Sequence, residues 1–297
     1  MIFKTRFAPS PTGPLHLGHA YSAMLAHDFA AVENGQFLLR IEDIDRSRSR
    51  SHWEDQIYDD LGWLGLRWPE PVMRQSDRLA TYDKALDDLW ARGLLYPCTC
   101  NRKDIAAAAS APQEGAPLHG PDGIIYPGTC RAKWQPSSTI GPRPKDVPLR
   151  LDMAAAGRLL LNATQADTTI GSFQEDGAGP DGETGAITFS LDDLTKTIGD
   201  VVLSRRDMGT SYHLSVVLDD AAQGITHVIR GQDLFEATRI HVVLQGLLGL
   251  PTPCYLHHRL IRDEVGKRLA KRDDARAISK YRAEGVSTAE IRAMVGL

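Results

Sequence analysis

Four cysteines in 297 residues are too few for a disulfide framework, and in a reducing compartment such residues more often hold a metal. No run approaches the roughly 18 apolar residues of a membrane span. The opening seven residues are too short and too broken by charge to be a secretory signal. A cytoplasmic protein with no membrane partner is therefore expected. A basic excess is missing as well. With a net charge of −4 and a pI near 6.2, the chain cannot coat nucleic acid through bulk electrostatics, so any such contact must be local. What is present is 42% apolar and 24% charged side chains, enough for one large core or two modest ones.

Residues 3–9 read as a short strand broken by Pro9-Ser10-Pro11-Thr12-Gly13-Pro14, after which residues 19–32 carry apolar side chains at helical spacing. Residues 36–41 read as a second strand ending in the carboxylate cluster Glu42-Asp43-Ile44-Asp45. Residues 53–64 and 78–92 read as amphipathic helices. This alternation predicts a parallel α/β sheet, with ligands beyond the carboxyl ends of its strands. From 106 to 148 the composition shifts to Ala, Pro, Gly and Ser, and a second Gly-rich patch spans 177–185; both read as loops bounding an inserted region. The α/β pattern returns at 199–204, followed by a helix at 212–222, a strand at 226–230 and a helix at 234–248. A short helix at 287–295 ends the chain, and there are no internal repeats.

His16-Leu17-Gly18-His19 sets two imidazoles three residues apart where a strand turns into a helix. The helix N-terminus offers N–H groups and a positive dipole end to phosphate, and the histidines can donate to phosphate oxygens as charge builds. Alone, the motif fits a metal pair or ordinary surface histidines equally well. A dense basic run, Gly266-Lys267-Arg268-Leu269-Ala270-Lys271-Arg272, is by itself most often a solvated loop. The pairing of the two segments favours a nucleotide site. Arg46, Arg48 and Arg50 fit phosphate contacts and a solvated helix start equally well. Cys98, Cys100, Tyr126 and Cys130 supply three thiolates and a phenol that a tetrahedral zinc site would accept, against a reading as free buried cysteines. His119 is a weaker alternative ligand, and Cys254 reads as core.

With these segments in view, the chain resembles a class I aminoacyl-tRNA synthetase, with His16 to His19 as the HIGH signature and Arg268-Leu269-Ala270-Lys271-Arg272 as a KMSKS-type loop. The blocks Arg6-Phe7-Ala8-Pro9-Ser10-Pro11-Thr12-Gly13, Arg40-Ile41-Glu42-Asp43-Ile44-Asp45, Tyr212 to Asp220 and Thr226 to Leu234 resemble the glutamyl and glutaminyl branch, in order over nearly the whole chain. Only 25 residues follow Arg272, so the chain is similar to the truncated glutamyl-Q tRNA(Asp) synthetases rather than to full-length glutamyl-tRNA synthetases. Ala270 departs from the serine usual in the family, which removes one possible contact to ATP.

The resemblance implies a Rossmann-type catalytic domain with an inserted α/β acceptor-binding-like region carrying a structural zinc, and no anticodon-binding domain. The expected division is 1–97 and 196–250 for the two catalytic halves, 98–195 for the insert, and 251–297 for the KMSKS-type loop and terminal helices. It also implies a monomer that uses ATP with Mg2+, L-glutamate and queuosine-containing tRNA(Asp). By the family's pattern, His16, His19 and Lys271 are catalytic, and Gly18, Arg268 and Arg272 join them around ATP. Arg6, Phe7, Ala8, Pro9, Ser10, Glu42, Tyr212 and Arg230 line the glutamate pocket, with Arg230 on the side-chain carboxylate, Glu42 on the ammonium, and Arg6 and Ser10 near the α-carboxylate. The metal set is Cys98, Cys100, Tyr126 and Cys130, its Tyr-x-x-x-Cys half supplied by the resemblance. Alternatives within this frame are a truncated glutamyl-tRNA synthetase charging a terminal ribose, a non-catalytic ligand-binding paralogue and, last, a small-molecule adenylate-forming ligase.

Overall fold

Two short strands open the chain, and both bury charged side chains, Arg6 and Arg40, among their apolar residues. In the computed structural model, which describes residues 2–109, 119–134, 141–164, 168–262 and 276–297, β1 (Lys4–Phe7) and β2 (Gln36–Ile41) pair in parallel around α1 (Leu17–Val32). After α2 (Ser51–Trp63), the short β3 (Met73–Arg74) adds beside β2, also in parallel, and α3 (Leu79–Ala91) follows.

The chain then leaves this sheet. β4 (Leu95–Pro97), α4 (Arg102–Ala109), the hairpin of β5 (His119–Gly120) and β6 (Gly123–Ile124), α5 (Thr129–Lys133), β7 (Leu149–Leu151) and α6 (Met153–Thr164) come next. β4 and β7 form an antiparallel sheet that β10 (Val202–Ser204) completes in the order β10-β7-β4. Between them run β8 (Thr169–Glu175), β9 (Gly185–Ser190) and α7 (Leu191–Asp193). The stretch 106–148 is thus not all loop: Gly123 and Gly128, both at positive φ, turn the hairpin and start α5.

α8 (Tyr212–Gln223) is capped by the Ser211 hydroxyl at its start and by left-handed Gly224 at its end. It leads into β11 (His227–Gly231), α9 (Thr238–Leu248) and β12 (Cys254–His258), and the chain closes with α10 (Ile278–Ala283) and α11 (Thr288–Val295). α9 starts four residues later than its periodicity predicts, because the Leu234 carbonyl already accepts from Arg230 Nη2 and from the Thr238 hydroxyl. β11, β12 and β8 are parallel neighbours with β9 antiparallel outside them. β8 and β9 fall in the stretch expected to be insert, yet they hydrogen-bond into the catalytic sheet through β12.

The Thr226 N–H donates to the Lys4 carbonyl (3.0 Å), and the Lys4 N–H donates to the Thr226 hydroxyl (2.8 Å). These bonds join the two parallel groups in the order β3-β2-β1-β11-β12-β8-β9. Strand order reverses between β1 and β11, since α1 carries the chain one way and α9 the other. Such a reversal opens a crevice at the carboxyl ends of the central strands, which here end in Phe7, Ile41, Gly231 and His258.

Candidate active site

The helix bordering this crevice is capped by its own histidines. The Gly18 N–H donates to His16 Nδ1 (3.1 Å), and the His16 N–H donates to His19 Nδ1 (3.2 Å). A backbone N–H can only donate, so both Nδ1 atoms are acceptors and each neutral ring carries its proton on Nε2. The rings lie 3.8 Å apart at the N-terminus of α1, where helix dipole and Nε2–H donors act in the same sense. Gly18 lets the turn close on the His16 ring, since a Cβ there would meet the ring at 3.0 Å and push it from its capping position. Phe7 is buried and meets His19 edge to face, and the Pro9 carbonyl accepts from the Glu42 N–H, holding the Ala8 to Ser10 turn against the end of β2.

Below the turn lies a largely buried charge network that joins the expected Arg6 and Glu42 to Arg40, Asp219 and Asp220, which pattern reading had not given a role. Arg6 grips Asp220 through Nε (2.9 Å) and Nη2 (3.3 Å), and Arg40 reaches Asp220 (2.7 Å), Glu42 (3.1 Å) and Asp219 (3.9 Å). Asp219 in turn accepts from Gln75, Arg78 and Tyr82. Burial pushes the Asp220 carboxyl up, but the guanidiniums of Arg6 and Arg40 outweigh it and hold the group below the usual range. Burial dominates at Glu42, which is raised despite Arg40 and Arg6. An available signal was two adjacent acids on the apolar face of α8, where a solvated pair would not sit.

Arg230 is also buried, at 5% exposure. Its Nε donates to His257 Nε2 (3.1 Å), Nη1 to His241 Nδ1 (3.1 Å), and Nη2 to the Thr238 hydroxyl (2.7 Å) and the Leu234 carbonyl (3.2 Å). Among the described residues no carboxylate pairs with it. Tyr212 faces the same space: burial raises its phenol, Arg230 and Arg6 oppose that, and Glu42 and Asp220 add to it. The structure thus brings Arg6, Glu42, Tyr212 and Arg230 together beside the histidine-capped helix. Arg268, Ala270, Lys271 and Arg272 lie outside the described residues. Downstream of them, Ala277 bridges to His16, and the Ile278 N–H donates to the Leu15 carbonyl (2.8 Å).

The thiol group forms a separate centre. Cys98, Cys100 and Cys130 present sulfurs within 4.8 Å of one another, and the Tyr126 hydroxyl lies 3.5 Å from Cys98 and 3.4 Å from Cys100. Tetrahedral zinc with bonds of about 2.0–2.3 Å sets its ligand atoms about 3.5–3.8 Å apart, so this quartet could hold such an ion. Burial raises the Cys130 thiol, but hydrogen bonds from Tyr126, the Thr99 backbone and the neighbouring thiols bring it down to about 6. Arg150 donates to Cys98 Sγ (3.3 Å) and covers the Tyr126 ring, a cation placed to offset thiolate charge. His119 is not part of the quartet; it sits in the β5 hairpin and lines a cavity with Gln232 and Asp233. Cys254 is half-buried beside Asp176 and His227 rather than in the core.

The sequence profile of tRNA synthetases class I (E and Q), catalytic domain, matches residues 3–130 and 176–297. This chain belongs to that family. A protein of Rhodobacter capsulatus named glutamyl-Q tRNA(Asp) synthetase is 60% identical over 293 residues, 99% of each chain. One of the same name from Albidiferax ferrireducens is 39% identical across 92% of this chain and 85% of its own. Among solved structures, a glutamate tRNA ligase from Elizabethkingia meningosepticum in complex with its amino acid aligns with a TM-score of 0.68 and 27% identity over 92% of this chain. This chain spans about half of that ligase, 53% of its length. The class I catalytic fold, mixed α/β around a parallel sheet, is therefore established. No helix among the described residues is long and apolar enough to cross a membrane.

Proposed function

We infer that this chain is an ATP-dependent ligase that activates glutamate as glutamyl-adenylate and transfers it to the queuosine base in the anticodon of tRNA(Asp). The observation that carries the reading is the buried guanidinium of Arg230, held by imidazoles, a hydroxyl and a carbonyl, whose charge acts on the Tyr212 phenol together with that of the Glu42 carboxylate. A substrate with two carboxylates and an ammonium complements that arrangement. Arg230 takes the side-chain carboxylate and Glu42 the ammonium, with Tyr212 against the substrate. Arg6, whose Nε and Nη2 serve Asp220, keeps Nη1 for the α-carboxylate beside Ser10. The relatives' shared name supports queuosine-containing tRNA(Asp) as the acceptor.

Activation is in-line attack of the α-carboxylate on the α-phosphate, forming the acyl-phosphate bond and breaking the bond to pyrophosphate. The chemistry needs alignment and charge stabilisation rather than a protein nucleophile. His16, His19 and the first turn of α1, with Gly18, receive the phosphates, and Mg2+ travels with ATP. Lys271, with Arg268 and Arg272, completes the clamp; the return of the chain at Ala277 beside His16 supports this role. Zn2+ held by Cys98, Cys100, Tyr126 and Cys130 would tie β4 to α5 and take no part in the reaction. The same reading carries a cytoplasmic, monomeric enzyme whose catalytic sheet takes in β8 and β9 from the stretch expected to be insert.

The test is glutamate-dependent exchange of pyrophosphate into ATP, compared with glutamine and aspartate, followed by transfer of radiolabelled glutamate. Glutamate alone should support strong exchange, and label should appear on tRNA(Asp) only when it contains queuosine. Label on the 3′ end of tRNA(Glu) would instead identify a terminal-ribose synthetase, and no exchange above a His16→Ala control would identify a non-catalytic paralogue.

A further inference from the structure

We propose that His241 and His257 are positioning residues that set the preference for glutamate over its amide, by aiming the Arg230 guanidinium while leaving its charge for the substrate. The inference rests on the glutamate reading above. Two arms run from Arg230, and donor logic fixes the protons in both. Arg230 can only donate, so His257 Nε2 accepts and the His257 proton sits on Nδ1, which donates to Glu175 (2.5 Å). His241 Nδ1 likewise accepts, so its Nε2–H donates to His213 Nδ1 (3.1 Å), and His213 Nε2 faces Asp122 at 3.6 Å.

Each arm therefore ends on a carboxylate that Arg230 does not touch. The imidazoles fill the positions where a direct counter-ion would otherwise sit, and both rings are buried at 2% exposure. Burial and the nearby guanidinium keep His241 and His257 below their usual range, which agrees with neutral rings. A direct carboxylate partner would neutralise Arg230 and weaken its selection against glutamine, since the neutral amide is rejected for failing to compensate a desolvated cation.

The two acceptors use different ring nitrogens, which makes the test specific. Asparagine mimics a Nδ1 acceptor and glutamine a Nε2 acceptor. Exchange kinetics with glutamate and with glutamine are measured for the full chain carrying His241→Leu, His257→Leu, His241→Asn, His257→Gln or His241→Asp. The leucine variants are expected to raise KM for glutamate about tenfold or more, with KM for ATP unmoved, and to lower the glutamate-to-glutamine ratio of kcat/KM comparably. His241→Asn and His257→Gln should recover most of that loss. His241→Asp, which puts a carboxylate against Arg230, should lower the ratio furthest.

A folded leucine or aspartate variant with the parent ratio overturns the proposal, as does equal loss in the leucine and amide variants. If the leucine variants do not fold, His241→Asp and the amide pair decide by the same ratio. No exchange by the parent protein would overturn the glutamate reading and this inference together, whereas parent activity with an unmoved ratio would overturn this inference alone.

Discussion

Arg40 and Arg230 are both buried guanidiniums on strands flanking β1, but the fold neutralises one and not the other. Arg40 is ringed by Asp219, Asp220 and Glu42, so its charge is spent inside the fold. Arg230 is held by imidazoles, a hydroxyl, a carbonyl and the Tyr255 ring, with no carboxylate partner among the described residues. A compensated cation of this kind is scaffold, because removing either partner strands a charge away from water. An uncompensated one held in a fixed direction is a binding group whose counter-ion arrives from outside.

The largest expected effect lies on the scaffold side. Asp220→Ala leaves Arg6 and Arg40 buried without their shared partner, and should cost about 3–5 kcal/mol in urea unfolding. Arg230→Met should reverse the pattern, with stability changing by less than about 2 kcal/mol while kcat/KM for glutamate falls about 100-fold, or about 3 kcal/mol. If instead Arg230→Met unfolds the protein and Asp220→Ala is benign, the contrast between the two arginines is wrong.

Asp60 sharpens the comparison with the opposite sign. It is fully buried, its oxygens have no close hydrogen-bond partner among the described residues, and burial, aided by Asp59 and only partly offset by Arg282 and Gln56, raises its carboxyl from 3.8 to about 6. Between those values the native state binds more protons than the unfolded chain, so this group makes stability fall as pH rises through the window. The penalty is complete above about pH 6 and absent below pH 3.8. Asp60→Asn should therefore stabilise by about 1–2 kcal/mol at pH 8 and by little at pH 4. Equal shifts at both pH values in denaturant melts would sink this account.

The thiol centre gives the smallest catalytic effect. Stripping metal with a chelator, or Cys100→Ser, should lower bound zinc from about one per chain to near zero and loosen the β4 to α5 region in hydrogen exchange, with under about twofold change in glutamate-dependent exchange. A large loss of activation would tie the insert to the catalytic step instead.

Much of this was legible in the sequence because it is written in local periods. The β1-α1-β2 unit, the histidine pair at the start of α1 and the convergence of Cys98, Cys100, Tyr126 and Cys130 all follow from residues near one another or from a recognisable family pattern, whereas the use of both Nδ1 atoms as the helix cap emerged only in the structure. The late start of α9 was not legible, since Arg230 and Thr238 take the Leu234 carbonyl only once β11 and α9 have packed. Nor was the membership of β8 and β9 in the catalytic sheet, because nothing local to residues 169–190 names β12 as a neighbour.

What the sequence determined by itself was the set of chemical groups and the order in which strands and helices deliver them to the crevice. Tertiary structure alone decided which charges cancel: Asp220 meets Arg6 across 214 residues and Arg40 across 180, while Glu175 stops one imidazole short of Arg230. Periodicity is set by neighbours along the chain. The electrostatic state of a buried group is set by whatever the fold leaves within a few ångströms of it, and that is not a local property of the sequence.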